Sequence, residues 1–189
     1  SHLQSPLLPK QEPGTKPSNA LAYELYVDGD LDRSRKAIVL NLEASKKKFG
    51  NKALGAPFLV YAPGSYRNPK TGAFESAMNW SFAVKAGDVL DYQWPLEAFE
   101  GEMYHLQVFG PNGFFREYKG NKNDPKLSLV SSYTAEGRDN NTGQYKIDVE
   151  NNSNKMFSIM VTDNAYQHGN KRIDLKPGEK RPVRVPTEK

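Results

Sequence analysis

The chain has 189 residues, enough for one large β fold or for two modules of about 70–100 residues each. Only 37% of its residues are hydrophobic while 11% are aromatic, and mean hydropathy is −0.74, a profile that fits thin β modules with much surface per unit of core. The +4 charge is spread among 22 acidic residues, which argues against a nucleic-acid footprint; the lack of cysteine excludes disulfide frameworks, Cys-rich zinc sites and thiol nucleophiles, and no apolar run approaches the roughly 20 residues of a membrane span.

Residues 1–20 carry Pro6, Pro9, Pro13 and Pro17 and almost no periodicity, and read as a linker or extended strap. From Leu21 the pattern has period two: Leu21, Tyr23, Leu25 and Val27 alternate with Ala22, Glu24 and Tyr26, the mark of a half-buried strand. Asp28-Gly29-Asp30 reads as the turn that follows, and Ile38, Leu40 and Leu42 as the return strand. Phe58-Leu59-Val60-Tyr61, residues 80–84, residues 89–94, residues 103–109 and residues 114–118 read as further strands. Pro111-Asn112-Gly113 joins the last two as a hairpin, because Asn-Gly readily adopts positive φ.

After a polar break at residues 120–125 a second set of strands begins, at residues 127–130, 145–149, 157–161, 171–175 and 182–185. The halves form a degenerate repeat. Residues 37–42 answer 145–150, residues 58–66 answer 159–166, and the turn Lys85-Ala86-Gly87-Asp88 answers Lys176-Pro177-Gly178-Glu179. The expected fold is therefore all-β, two tandem antiparallel sandwich-like modules: residues 1–19 a proline-rich strap, 20–121 the first module, 122–189 the second. By comparison with the first, the second is expected to lack its last strand and to leave a neighbouring strand edge unpaired.

No catalytic, cofactor or metal set emerges. His2, His105 and His168 are far apart, and His105 falls on the polar face of its strand. Asp28, Asp30 and Asp32 have the spacing that opens a calcium loop, but Arg33 stands where glycine is needed and Val39 where a bidentate glutamate is needed. Trp80 and Trp94 lie in alternating strands and read as packing residues. Candidate surface contacts are the triplet Lys46, Lys47 and Lys48, more simply a solvated loop, and Tyr66-Arg67, read as the least constrained loop aromatic with its neighbour.

Several strings carry a resemblance: residues 8–14, residues 20–25, Phe82-Ala83-Val84-Lys85-Ala86-Gly87-Asp88, and above all residues 104–120 with Gly110-Pro111-Asn112-Gly113-Phe114 at their centre. In the second half residues 161–166 and Leu175-Lys176-Pro177-Gly178 carry it. Together they resemble the C-terminal region of bacterial phosphocholine-type, non-hemolytic phospholipases C, in which two small β domains follow a large phosphoesterase domain. The resemblance implies that the metal-dependent catalytic residues lie in that upstream domain, so none transfers to this chain. It implies a periplasmic or secreted parent enzyme of lipid catabolism, and the upstream domain and a phospholipid surface as partners. A glycan- or protein-binding β-sandwich, or a plain spacer, are the alternatives that the residues themselves leave open.

Overall fold

The computed structural model describes residues 21–135, 143–162 and 170–187. Fourteen strands occupy most of them. In the first half these are β1 (Leu25–Leu31), β2 (Ala37–Ala44), β3 (Ala56–Ala62), β4 (Tyr66–Arg67), β5 (Phe74–Glu75), β6 (Met78–Val84), β7 (Val89–Pro95), β8 (Met103–Phe109) and β9 (Phe115–Asn121). In the second they are β10 (Leu127–Ala135), β11 (Gly143–Asn151), β12 (Phe157–Thr162), β13 (Asn170–Leu175) and β14 (Lys180–Thr187).

The first half is a sandwich of a three-stranded sheet, β1-β2-β7, and a four-stranded sheet, β6-β3-β8-β9, all antiparallel. Alternation along the strands explains the layering: Ile38, Leu40 and Leu42 of β2 face Phe58, Val60 and Ala62 of β3 and Leu106 and Val108 of β8 in one core. Aromatic rings close the two open flanks between the sheets. On the β6 and β7 side Trp80, Phe82, Tyr92 and Trp94 stack edge-to-face or tilted, with ring centroids 4.6–6.1 Å apart. On the β1 and β9 side Tyr118 lies over Gly29 and donates from its hydroxyl to the Val27 carbonyl at 2.7 Å.

Gly29 corrects the sequence reading. Asp28-Gly29-Asp30 is no turn but part of β1, paired with Asn41, Leu40 and Val39, and residues 21–24 precede the strand. A Cβ on Gly29 would lie 2.6 Å from the Tyr118 ring and 2.7 Å from Leu40, so the glycine makes room for packing rather than for a bend. The turn comes at Asp32 instead. Its carboxylate accepts the backbone N–H groups of Lys36 at 2.7 Å and Ala37 at 2.9 Å as well as the Ser34 hydroxyl, which holds its pKa down at about 2. The Asp28, Asp30, Asp32 spacing is thus spent along a strand and in a capped turn.

The second half repeats the first with five strands, and hydrogen bonds give the alignment. In the first half Gly87 N–H donates to Ala44 O, Ala44 N–H to Asp88 O and Asp88 N–H to Lys85 O; in the second Gly178 N–H donates to Asn151 O, Asn151 N–H to Glu179 O and Glu179 N–H to Lys176 O. Both turns place glycine at positive φ, 89° at Gly87 and 71° at Gly178. Ala44 therefore answers Asn151, and Leu42 answers Val149. The sequence alignment of residues 37–42 with 145–150 is one residue out of register, which would set the core residue Leu42 against the half-buried Glu150. Phe58 answers Ile159 as expected, because Ala56 pairs with Val84 and Phe157 with Leu175 at the same point of the turn. On this alignment β10, β11 and β14 form one sheet like β1, β2 and β7, while β12 and β13 answer β3 and β6. Among the described residues the sandwich strands β8 and β9 have no counterpart, and neither do the two-residue strands β4 and β5.

The break between the halves is a tied segment. Arg35 donates from Nε to Lys122 O at 2.6 Å and from a terminal nitrogen to Asp124 O, and the Tyr104 hydroxyl donates to the Asp124 carboxylate. Burial and that carboxylate push the Tyr104 phenol well above its ordinary range. Asn152 N–H closes onto Lys126 O at 2.8 Å.

Candidate functional site

Four chain segments meet at one end of the first sandwich: residues 21–24 ahead of β1, residues 45–55 between β2 and β3, the turn Lys85-Ala86-Gly87-Asp88, and Gly110-Pro111-Asn112-Gly113-Phe114 between β8 and β9. The end is organised by backbone pairing and by one acid. Ser45 N–H donates to Glu24 O at 2.7 Å, Leu54 N–H to Ala22 O at 3.1 Å, and the Asn112 amide to Leu21 O at 3.3 Å. The Glu24 carboxylate accepts Lys48 N–H at 2.6 Å and the Tyr26 hydroxyl at 2.9 Å.

The Gly-Pro-Asn-Gly-Phe unit is a tight loop whose residues each have a geometric task. Asn112 and Gly113 take positive φ of 56° and 73°, and Gly110 N–H pairs with Phe114 O at 2.9 Å. The two phenylalanines that follow split between faces. Phe114 turns inward to meet Phe58 edge-on at 6.0 Å, and Phe115 turns outward beside Phe109 at 5.2 Å. Between this loop and residues 23–26 lies an open cleft of about 370 Å³ bordered by Tyr23, Glu24, Lys48, Phe115 and Arg116. The Arg116 guanidinium lies 4.5 Å over the Phe114 ring.

Lys46, Lys47 and Lys48 are all exposed on this same end, with Lys52 and Lys85. The Lys46 stem runs over Gly87, where a Cβ would stand 3.0 Å from its Cδ. Next to them the outer face of the larger sheet carries a row of apolar side chains, Leu59 paired across to Phe109 and Phe109 to Phe115, with exposures of 41%, 39% and 43%. Sequence reasoning missed this row and Arg116. The signal was present in the alternation, since Phe109 continues the outward series Met103, His105 and Gln107.

The structure separates the other sequence candidates from this end. Tyr66 is not a solvent-facing loop residue: it lies in β4, is 8% exposed, and is held edge-on between Trp80 at 4.9 Å and Phe99 at 5.0 Å. It is buried because the segment after β7 folds back, bridging Tyr66 to Phe99 and donating Glu100 N–H to Ser65 O. Arg67 remains exposed at the opposite end of the sandwich, with its guanidinium 4.8 Å over Phe74. His105 sits on the outer sheet face, where its Nε2 meets Glu117 at 2.7 Å; Gln107 shares that carboxylate, and the two contacts hold it below the ordinary carboxylate range. His2 and His168 fall outside the described residues. Among the described residues no three His, Asp or Glu side chains gather to hold a metal ion, and no helix is long and apolar enough to cross a membrane.

Comparison with known proteins gives this end its context. The family described as bacterial phospholipase C, C-terminal domain, matches residues 17–121, from the last proline of the strap through β9. The chain is 29% identical over 174 residues to a non-hemolytic phospholipase C of Burkholderia pseudomallei, a match covering 92% of this chain and 22% of that protein. It is 28% identical over 183 residues to a non-hemolytic phospholipase C of Pseudomonas aeruginosa, covering 94% and 24%, and 26% identical over 186 residues to the hemolytic phospholipase C of the same organism, covering 91% and 24%. The chain thus spans less than a quarter of the length of the curated relatives it matches. With more than half of its residues inside the family match, the chain belongs to the bacterial phospholipase C C-terminal domain family.

Proposed function

We propose that this chain is a non-catalytic accessory region of a periplasmic or secreted bacterial phospholipase C, which supports an upstream phosphoesterase domain and touches phospholipid through the loop end of its first module. Its units are a strap at residues 1–19, a first β domain at 20–121 and a second at 122–189. The observation that carries the contact is the gathering at one end of Lys46, Lys47, Lys48, Lys52, Lys85 and Arg116 beside the exposed row Leu59, Phe109 and Phe115. Cations near an anionic leaflet are worth about 1 kcal/mol each, and apolar side chains enter the headgroup boundary. Arg67, at the far end, takes no part. The alternative, a glycan- or protein-binding β-sandwich, would use Tyr66, Arg67 or neighbouring loop residues, and burial of the Tyr66 ring takes the aromatic out of that set.

Binding to vesicles containing phosphatidylserine should be weak, should fall steeply between about 0.05 and 0.5 M salt, and should drop at least tenfold in K46Q/K47Q/K48Q. Co-sedimentation reads all three effects. Unchanged binding in the triple variant would remove the lysines from the reading, and binding that ignores both salt and the variant would defeat it. The purified chain should hydrolyse neither phosphodiester nor phosphomonoester substrates above background, with or without divalent metal, since the described residues place no nucleophile, base and metal ligands together. Metal-dependent turnover that follows the protein through purification would overturn the non-catalytic assignment.

A further inference from the structure

The end of the first sandwich away from Lys46, Lys47 and Lys48 carries a second concentration of positive charge. β1 leaves the loop end and finishes at the turn 32–36, where an open cleft of about 540 Å³ lies between that turn, the junction 122–126 and the loop 152–155 of the second module. Its cationic side chains are Arg35, Lys122, Lys126 and Lys155, against one carboxylate, Asp124. Asp124 offsets one of these charges and Glu102, 2.8 Å from Lys122, offsets a second. Lys126 and Lys155 are exposed and have no carboxylate partner among the described residues. The walls of the cleft are fixed before any ligand arrives. Arg35 donates from Nε to Lys122 O at 2.6 Å and from Nη2 to Asp124 O, and Asn152 N–H donates to Lys126 O at 2.8 Å, so the three segments are bonded to one another. Arg35 also holds φ at 58°, a left-handed conformation in which glycine would be less strained, so the position is occupied for its guanidinium. With two of its nitrogens on carbonyls, Nη1 is left without a hydrogen-bond partner among the described residues.

We infer that this cleft binds a phosphate group, as the free ion or as a monoester. Cations border it from three chain segments, Arg35 from the first module, Lys126 from the junction and Lys155 from the second module, with the exposed Asn123 and Asn152 amides beside them. A tetrahedral oxyanion offers a separate oxygen to each side, whereas a carboxylate offers two in one plane. The open volume leaves room for a small group esterified to the phosphate. Clefts between modules are favoured places for small ligands, and here the bound anion would join Arg35 to Lys155 across the junction. The site uses none of the residues assigned to lipid contact at the loop end, so the two readings stand or fall separately.

Titration of the full chain with inorganic phosphate at constant ionic strength and about pH 7.5, where the ion is mostly a dianion, tests this with amide spectra as the readout. Shifts at Arg35, Asn123, Lys126 and residues 152–155 should saturate with a Kd of roughly 1–10 mM, as expected for a few partly screened charges. K126Q/K155Q should bind about fivefold more weakly or worse, while K119Q/K171Q, which removes the same charge from exposed positions elsewhere, should stay within about twofold of the parent. A parallel titration with phosphatidylcholine vesicles containing phosphatidic acid separates the two sources of the group. A response to the free ion places the ligand in solution, and a response to those vesicles alone places the phosphate on a lipid. No saturable shift at these amides with either would overturn the proposal. Equal losses in the two double variants would also overturn it, by reducing the effect to net charge.

Discussion

Replacing Trp94 with alanine is expected to destabilise the first module by about 3–5 kcal/mol, the range for deleting a fully buried aromatic side chain. Trp94 is 0% exposed and stands at the centre of the ring cluster that closes one flank of the sandwich, with Tyr92 at 4.6 Å, Trp80 at 5.5 Å and Phe82 at 6.1 Å. Its loss removes three aromatic contacts and leaves a cavity between β6 and β7, which among the described residues are edge strands with no further strand beside them to help the flank collapse. Against a typical total stability of about 5–15 kcal/mol this is a large fraction, and with m near 2 kcal/mol/M the urea midpoint should fall by about 2 M. Phenylalanine at the same position should cost far less. The indole N–H of Trp94 has no hydrogen-bond acceptor, so Phe relinquishes a buried unpaired donor at the same time as it gives up volume. Urea unfolding followed by far-UV circular dichroism separates the two variants. An alanine variant within about 1 kcal/mol of the parent would mean that the flank repacks and that the ring cluster is not what holds the sheets together.

That cluster was half visible in the amino-acid sequence. Trp80 and Trp94 fall at inward positions of alternating strands, so their packing role follows from period two alone. Tyr66 did not yield to the same reasoning. It sits two residues past Pro63-Gly64 in a strand of two residues, too short to show a period, and what buries it is Phe99, brought over by a fold-back of the chain. Gly29 failed for a related reason: Asp-Gly is a strong local turn signal, and only the Tyr118 ring, far along the chain, shows why glycine is needed inside a strand there. The loop end was legible in pieces. Lys46, Lys47 and Lys48 stand out as a charge run and Gly-Pro-Asn-Gly-Phe as a turn, but nothing local says that Glu24 receives Lys48 N–H, or that the outward Phe115 lies beside Phe109 close to the lysines. Which residues share a face is readable within a strand. Which loops share an end is a property of sheet order, and sheet order is set by long-range pairing that one sequence does not display.

The second module relies on one fully buried polar side chain, and Asn151→Ala is expected to unfold it selectively. Asn151 is 0% exposed, yet each polar atom of its amide is engaged: Nδ2 donates to Lys155 O at 2.8 Å and to Leu175 O at 3.0 Å, while Oδ1 accepts Ser153 N–H at 3.0 Å and the Ser153 hydroxyl at 2.7 Å. These bonds join the end of β11, the loop into β12 and the end of β13, which lie in different sheets, so the side chain acts as a clasp between the two layers. Alanine leaves the Leu175 carbonyl without that donor, at a cost of about 1–3 kcal/mol, while the exposed Lys155 carbonyl keeps the Ser153 hydroxyl at 3.0 Å. The first module uses Ala44 at the equivalent place and tolerates it, because β8 adds Leu106 and Val108 to its core and the layers need no polar clasp. In the second, the described buried apolar residues are Val149, Ile173, Leu175 and Val183, and a core so small cannot absorb a loss of about 1–3 kcal/mol. Amide spectra of Asn151→Ala should lose dispersion across β12, β13 and β14 while β1 to β9 keep their shifts, and Asn154→Ala, at an exposed position of the same loop, should change neither set. If the Asn151 variant retains a folded second module within about 0.5 kcal/mol of the parent, the layers are held by apolar contact alone and the clasp is dispensable.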